Sequence, residues 1–232
     1  MGLSPLRSAF TLIELLVVIA MVGILASLLL PVLGKARSRA DRTACASQQH
    51  QVFVSLNCFA LDHEGAVPLG YRGGRKQWNT MVYSGTATNF PLFGQLYKAG
   101  LMDEPKVFYC PAEHAPEQAF NTARNPWPPG TPGVNVQGGY ASNPLLDWGV
   151  VETPPFLPQL DQLPFLPLLA DALGLPERVE SRHRDGANVT FSDGSIRWLK
   201  RSLFDAPLSQ CVGLSPANNP YQDQVWEAVG QR

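Results

Sequence analysis

Residues 9–34 read AFTLIELLVVIAMVGILASLLLPVLG. The 20 residues from Leu15 to Gly34 carry no charged side chain. As a helix they would span roughly 30 Å, which is the thickness of the hydrocarbon core of a bilayer. Glu14 stands at the edge of this segment, where a carboxylate is costly unless a partner group meets it. The segment therefore predicts a membrane helix, and Glu14 is a candidate functional residue.

Apolar periodicity continues beyond the uncharged segment. After a charged patch at residues 35–42, an apolar stripe recurs at intervals of 7, 4 and 3 residues, which is typical of one face of a helix. Its members are Cys45, Val52, Leu56 and Phe59. Gly65 is a suitable C-terminal cap, and Pro31 is expected to kink the helix because proline lacks a backbone donor. The pattern predicts one helix over residues 10–63, with its first half in lipid and its second half packed on a domain.

Composition limits what the rest of the chain can be. The 232 residues are enough for one membrane segment and one domain of ordinary size. The 21 prolines and 20 glycines indicate a loop-rich body. The net charge of −1 gives no bias towards polyanions, so no nucleic-acid partner is expected.

The clearest local pattern in the body is a hairpin over residues 187–199. Asp193-Gly194 is a favoured two-residue turn. That turn would place Phe191 opposite Ile196 and Val189 opposite Trp198, with all four side chains on one face. We expect this aromatic face to pack against the N-terminal helix.

Two further strands and a short helix are predicted in the body. Residues 106–110, KVFYC, are expected to form a strand ended by Pro111, and residues 166–171, LPLLAD, a short buried strand. Residues 89–100 are expected to contain a short amphipathic helix ending at Gly100. The predicted fold class is α+β, with a long N-terminal helix packed on an antiparallel sheet.

Cysteine spacing leaves the thiol chemistry open. The chain has four cysteines, Cys45, Cys58, Cys110 and Cys211, and no C-x-x-C pair, so the spacing gives no support for a zinc or thioredoxin-like motif. Cys45 and Cys58 are 13 residues apart on one predicted helix, roughly 20 Å, and cannot bridge each other. If the body is exported, two disulfides would tie each of them to Cys110 or Cys211. Free buried thiols are the alternative.

The N-terminal segment resembles the type IV prepilin signal of pilins and of the pseudopilins of type II secretion. The residues that carry the resemblance are 9–26, AFTLIELLVVIAMVGILA. The resemblance implies cleavage by a prepilin peptidase between Ala9 and Phe10, N-methylation of Phe10, and a filament-assembly role for Glu14 opposite the N-terminal amine of a neighbouring subunit. Ala9 departs from the glycine usual before the cut. Pro31 lies where the family often has its kink.

A second resemblance covers the C-terminal half. His183, nine intervening residues and Asp193-Gly194 are similar to the His-x9-Asp-Gly signature of a pilin-like family that has the same N-terminal signal. Cys45 and the FYCP sequence ending at Pro111 also match that family. The resemblance supports a pilin-like fold more than it specifies a function.

Few residues suggest chemistry. A cation site could be formed by His183, Asp185 and Asp193, together with Asp171. The cation to expect there is calcium, because some pseudopilins bind calcium through oxygen atoms of their C-terminal loops. Asp193 is already explained by the turn. No catalytic triad, phosphate-binding loop or metalloprotease motif occurs in the sequence. We therefore expect no enzyme activity, and no cofactor apart from this possible calcium ion.

Two other classes of N-terminal segment fit this sequence less well. A cleaved signal peptide has a shorter apolar core and no carboxylate in it, and a plain signal anchor would leave Glu14 without a role. The positive-inside rule alone would place the body in the cytoplasm, because Lys35 and three arginines follow the segment whereas Arg7 precedes it. The prepilin signal implies an exported body, and it is the more specific of the two patterns.

The predicted organisation is a leader at residues 1–9, a transmembrane half-helix at 10–34, an exported half-helix at 35–64 and a pilin-like head at 65–232. The function expected from the resemblance is a pilin or pseudopilin subunit anchored once in the inner membrane, with its body in the periplasm or on a filament. Its expected partners are other pilin-like subunits, the prepilin peptidase and an assembly platform. The alternative is a membrane-tethered exported module that binds a ligand or cation and does not polymerise.

Overall fold

The structure is a computed structural model, and it describes residues 12–71, 74–146 and 157–231. Contacts divide the chain into two compact units, the first ending at Ala40 and the second beginning at Asp41. Helix α1, Leu12–Asp62, has Pro31 inside it. The predicted helix is confirmed over these residues, whereas the kink at Pro31 stays a prediction.

The described part of the first unit is the helical segment from Leu12 to Ala40. Large apolar side chains between Leu12 and Leu33 are 43–86% exposed in the isolated chain. Among the described residues, α1 is the one helix whose length and composition would allow it to cross a membrane. An apolar surface of this extent needs a bilayer or other subunits to cover it.

Within the second unit, the rest of α1 buries the predicted stripe. Cys45, Val52 and Leu56 are fully buried, and Phe59 is 2% exposed. The helix ends where the amide of Gly65, at φ +86°, donates to the carbonyl of Ala60 at 2.8 Å. Gly65 therefore serves as the expected cap, since glycine adopts positive φ without strain.

A four-stranded antiparallel sheet forms the centre of the second unit. Its order is β3-β4-β5-β6. The strands are β3 (Tyr140–Ser142), β4 (Pro167–Asp171), β5 (Gly186–Phe191) and β6 (Ile196–Lys200). A separate pair is formed by β1 (Met81–Tyr83) and β2 (Val136–Gln137). Both the α+β class and the strand predicted over residues 166–171 are confirmed.

Short helices complete this unit. They are α2 (Phe93–Lys98), α3 (Pro176–Glu180), α4 (Asp205–Leu208) and α5 (Asn219–Gly230). In the described part of this unit, 3-10 turns lie at Lys76–Trp78, Pro105–Phe108, Leu160–Gln162, Arg201–Leu203 and Pro216–Asn218. Helix α2 falls inside the predicted segment 89–100, and Gly100 follows it at φ +71°.

The strand predicted over residues 106–110 is wrong. Residues Pro105–Phe108 form a 3-10 turn instead. Pro105 favours this turn because its fixed φ suits the first helical position. The apolar pattern of the segment reflects burial of Phe108, Tyr109 and Cys110, and not strand pairing.

The predicted register of the hairpin is wrong by one residue. Thr190 pairs with Ile196 and Val189 with Arg197. The turn has three residues, because Phe191 donates its amide to Ser195 across it and Gly194 adopts φ +79°. This is the three-residue loop with a left-handed glycine, and the extra loop residue changes every cross-strand partner.

The shifted register also changes the faces of the hairpin. Val189 and Phe191 pack in a buried cluster with Trp226 of α5. Asn188 and Thr190 lie on the other face and bond to α1. The expectation that this face packs on α1 is therefore wrong for Val189 and Phe191, whereas Trp198 does meet α1 and lies under the Arg42 guanidinium at 4.2 Å.

Candidate functional site

The N-terminal processing residues lie outside the part of the chain that the structure describes. Ala9 and Phe10 both precede residue 12. Glu14 is described, and it lies in the first turn of α1. The processing and assembly roles of these three residues therefore stay predictions.

Four metal-binding side chains meet inside the second unit. Cys45 lies on α1, Cys110 follows the 3-10 turn at residues 105–108, Asp171 ends β4, and His183 lies between α3 and β5. One ligand atom from each lies within 4.8 Å of the other three. We call these four residues the buried tetrad, since none is more than 6% exposed.

The distances within the buried tetrad converge on one nitrogen atom. Cys110 Sγ lies 3.5 Å from His183 Nε2, and Asp171 Oδ2 lies 3.7 Å from the same nitrogen. In a Cys-His-Asp catalytic triad the acid holds the imidazole nitrogen that does not face the nucleophile. Here both groups approach the same nitrogen, which is the arrangement of side chains around a common centre and not that of a proton relay.

Outer hydrogen bonds fix the carboxylate of Asp171. The amide of Asn188 donates to Oδ2 at 2.7 Å, and Gln49 Nε2 donates to Oδ1 at 3.0 Å. Gln49 itself is fully buried and accepts a bond from the Thr190 hydroxyl at 2.9 Å. In metal sites, hydrogen bonds of this kind to a ligating carboxylate hold it in a fixed orientation.

The protonation of the buried tetrad is strongly perturbed. Burial opposes ionisation of Cys110, but hydrogen bonds with Cys45 and His183 outweigh it and lower the pKa of the Cys110 thiol to about 7. The hydrogen bond to Cys110, burial and the charge of Asp171 raise the pKa of Cys45. Burial lowers the pKa of His183, but the hydrogen bond with Cys110 and the charge of Asp171 prevail and raise it. Burial raises the pKa of Asp171.

A charged pair lies beside the buried tetrad. Arg182 Nη2 is 2.7 Å from Glu113 Oε2, and both side chains are 1% exposed. The positive charge of Arg182 also lowers the pKa of Asp171 in part. The buried tetrad therefore adjoins a buried ion pair whose guanidinium favours the ionised form of Asp171.

The two ends of the His-x9-Asp-Gly motif have different structural roles. His183 belongs to the buried tetrad, whereas Asp193 is exposed and accepts a bond from the Ser195 amide at 2.9 Å inside the hairpin turn. Gly194 has no room for a side chain, because a Cβ there would lie 2.8 Å from Phe53 Cε1 of α1. The structure thus brings His183 together with Asp171 but not with Asp193, and Asp185 also lies outside the buried tetrad.

The cysteines divide in the same way. Cys45 and Cys110 meet in the buried tetrad, whereas Cys58 is exposed and Cys211 is buried beside Gln222. All four are described, and all four are free thiols in this structure. The donors that meet are two sulfurs, a nitrogen and a carboxylate oxygen, which is not the all-oxygen set that calcium prefers.

Sequence reasoning missed Gln49 and the meeting of Cys45 with Cys110. A signal for Gln49 was present, because the stripe on α1 has a gap of seven residues and Gln49 fills it at i+4 from Cys45 and i−3 from Val52. A fully buried polar residue in an apolar stripe needs buried partners. For the two cysteines, 65 residues apart, no local spacing predicts a contact.

The described residues define an α+β protein with one long apolar helix. Residues 5–30 match a family described as the prokaryotic N-terminal methylation motif. This segment is of the prepilin type, and in it the chain is similar to type IV pilin-like proteins. The apolar helix and the motif together indicate a membrane-anchored, exported protein.

One curated relative supports the same class. The competence protein ComGC of Bacillus subtilis (strain 168) is 34% identical to this chain over 62 residues, which are 27% of this chain and 63% of ComGC. The match therefore spans less than two thirds of that relative. No solved structure matches the chain, and the His-x9-Asp-Gly signature has no support from these comparisons.

Proposed function

We propose that this protein is a structural subunit of a type IV pilus-like or type II secretion filament. Cleavage by prepilin peptidase between Ala9 and Phe10 would free the amine of Phe10, which would then be methylated. The mature chain would remain in the inner membrane until an assembly platform adds it to the filament. It would then contact other pilin-like subunits through α1. The observation that carries the proposal is the methylation motif at residues 5–30, at the start of a long, exposed apolar helix.

Glu14 is the residue proposed to direct assembly. In the apolar interior of a filament, its carboxylate would meet the Phe10 amine of a neighbouring subunit. The desolvation cost of such a pair offsets much of its attraction, so its main contribution is to the register of neighbouring helices. The motif contains Glu14 and supports this assignment.

The test combines mass spectrometry with one matched pair of variants. The mature wild-type chain is expected to begin at N-methylated Phe10. Glu14→Val should leave the body folded and the chain in the membrane while the protein disappears from sheared filaments. Ile13→Val makes a similar apolar change one residue earlier, and it should assemble normally.

Two results would count against the proposal. An unprocessed N-terminus starting at Met1, or a cut near residues 36–46, would exclude prepilin processing. Normal assembly of Glu14→Val would remove the role of the carboxylate. The alternative, a tethered exported module that never polymerises, predicts that the protein stays in the envelope fraction whatever residue occupies position 14.

A further inference from the structure

The second unit contains a donor set that its filament role does not use. The buried tetrad contains one residue from α1, one from β4 and two from loops. These four residues are spread over positions 45 to 183, so the site forms only when the unit folds. Burying a carboxylate beside an imidazole is costly unless something compensates them, and here two thiols lie at the same place. We infer that the buried tetrad is a structural zinc site.

The geometry fits a tetrahedral ion. Ligands at about 2.0–2.3 Å from zinc lie roughly 3.3–3.8 Å from one another. The two distances to His183 Nε2 are 3.5 Å from Cys110 Sγ and 3.7 Å from Asp171 Oδ2, and the widest separation in the buried tetrad is at most 4.8 Å. Movements of about 1 Å or less would bring all four atoms to bonding distance of one centre.

The donor types select the metal. Two thiolates and an imidazole favour a borderline or soft ion over calcium or magnesium. Four protein ligands with no open position are typical of structural zinc and not of catalytic zinc. Zinc binding would form two Zn–S bonds, one Zn–N bond and one Zn–O bond, and would release to solvent the protons of the thiols and any proton held by the His183 nitrogen or the Asp171 carboxyl group, without transfer of electrons.

The surroundings are arranged as a metal site requires. Gln49 and the Asn188 amide hold the two oxygens of Asp171, and these partners come from α1 and β5. Zinc with two thiolates, one carboxylate and a neutral imidazole has a net charge of −1, and the side-chain amide of Gln49 and the backbone amide of Asn188 both donate to the carboxylate that carries part of it. The ion would fasten α1 at Cys45 to the centre of the sheet.

The competing use of the same cysteines is a Cys45–Cys110 disulfide. Formation of that bond would oxidise the two thiols, with loss of two electrons and two protons. Asp171 and His183 would then stay buried beside the disulfide, with no metal ion bound to both of them. Convergence of all four donor atoms is explained by a metal and not by a disulfide. The two possibilities predict different masses and different metal contents.

The experiment uses the full chain, purified in detergent with a reductant, loaded with zinc chloride and desalted. Elemental analysis should find about one zinc per chain. Cobalt chloride added to chelator-treated protein should give the visible bands of tetrahedral cobalt and the near-ultraviolet absorption of thiolate-to-cobalt charge transfer. Because the cobalt spectrum is measured on the wild-type chain, it does not depend on any variant folding correctly.

Variants then locate the ion. Cys45→Ser and Cys110→Ser should lose stoichiometric zinc, whereas the matched changes Cys58→Ser and Cys211→Ser should keep it. Gln49→Met should weaken zinc binding by about 10–100-fold, because it removes a hydrogen bond that orients the Asp171 carboxylate.

Three results would overturn the zinc site. The first is zinc content below stoichiometry with no thiolate band in the cobalt protein. The second is zinc content that Cys45→Ser and Cys110→Ser leave unchanged. The third is a chain purified without reductant that contains a Cys45–Cys110 disulfide and takes up no zinc after reduction.

Discussion

Replacement of Gln49 by methionine tests how the head is held to α1. Gln49 is fully buried and joins α1 to two strands through three bonds. Its amide donates to Asp171 Oδ1 at 3.0 Å and to the Asn188 carbonyl at 3.2 Å, and its oxygen accepts from Thr190 Oγ1 at 2.9 Å. Methionine has nearly the same length and volume, so the change removes the bonds without opening a large cavity.

The size of the effect follows from the three groups left behind. A buried polar group that loses its partner costs about 1–3 kcal/mol. Because the Thr190 hydroxyl can turn towards another acceptor, we expect Gln49→Met to lower the free energy of unfolding by about 3–5 kcal/mol rather than by the full sum. For a unit of 150–250 residues this corresponds to a fall in Tm of about 6–20 °C.

The assay measures thermal unfolding of the full chain in detergent by near-ultraviolet circular dichroism. A chelator and a reductant are present throughout, so that neither a metal ion nor a disulfide contributes to stability. Gln51→Met is the matched control, because Gln51 is exposed on the same helix two residues further on. It should change stability by less than about 0.5 kcal/mol.

The reasoning fails if Gln49→Met destabilises the protein by less than about 1 kcal/mol, or by no more than Gln51→Met does. Either result would mean that the three bonds do not hold α1 on the sheet. A double variant, Gln49→Met with Thr190→Val, gives a second check. It should cost less than the sum of the single changes because the two side chains share one bond.

Two further changes probe the turn and the buried ion pair. Gly194→Ala should destabilise the head more than Gly213→Ala does. Both sites have positive φ, but of the two only Gly194 has a neighbour that a Cβ would meet, at 2.8 Å from Phe53. We expect about 1–2 kcal/mol for the backbone strain at each site and a further 1–3 kcal/mol at Gly194, so equal Tm values for the two variants would contradict the contact. Arg182→Met should lower the free energy of unfolding in urea by about 3–5 kcal/mol, because Glu113 would stay buried without its partner. Arg124→Met breaks an exposed pair and should lower it by less than about 1 kcal/mol. Similar losses of stability in the two variants would refute this difference.

Local patterns predicted the elements that local physics controls. The helix over residues 12–62, its buried stripe, the cap at Gly65 and the strand at residues 167–171 all follow from periodicity and from the conformational freedom of glycine. The hairpin was located correctly but its register was not, because Asp-Gly suits both a two-residue turn and a three-residue turn. Choosing between them depends on which face of β5 must meet α1 and which must meet α5.

By itself, the sequence determined that this protein has a long apolar helix with a carboxylate at its edge, because an uncharged run of 20 residues is a local fact, and the resemblance of residues 9–26 to a prepilin signal is local too. Only the tertiary structure decided that Cys45, Cys110, Asp171 and His183 share one buried point. Those residues lie on different elements, and no spacing along the chain encodes a meeting that depends on how the sheet, the turn at residues 105–108 and α1 pack together. The same packing separates His183 from Asp193, although the motif that contains both is only 12 residues long.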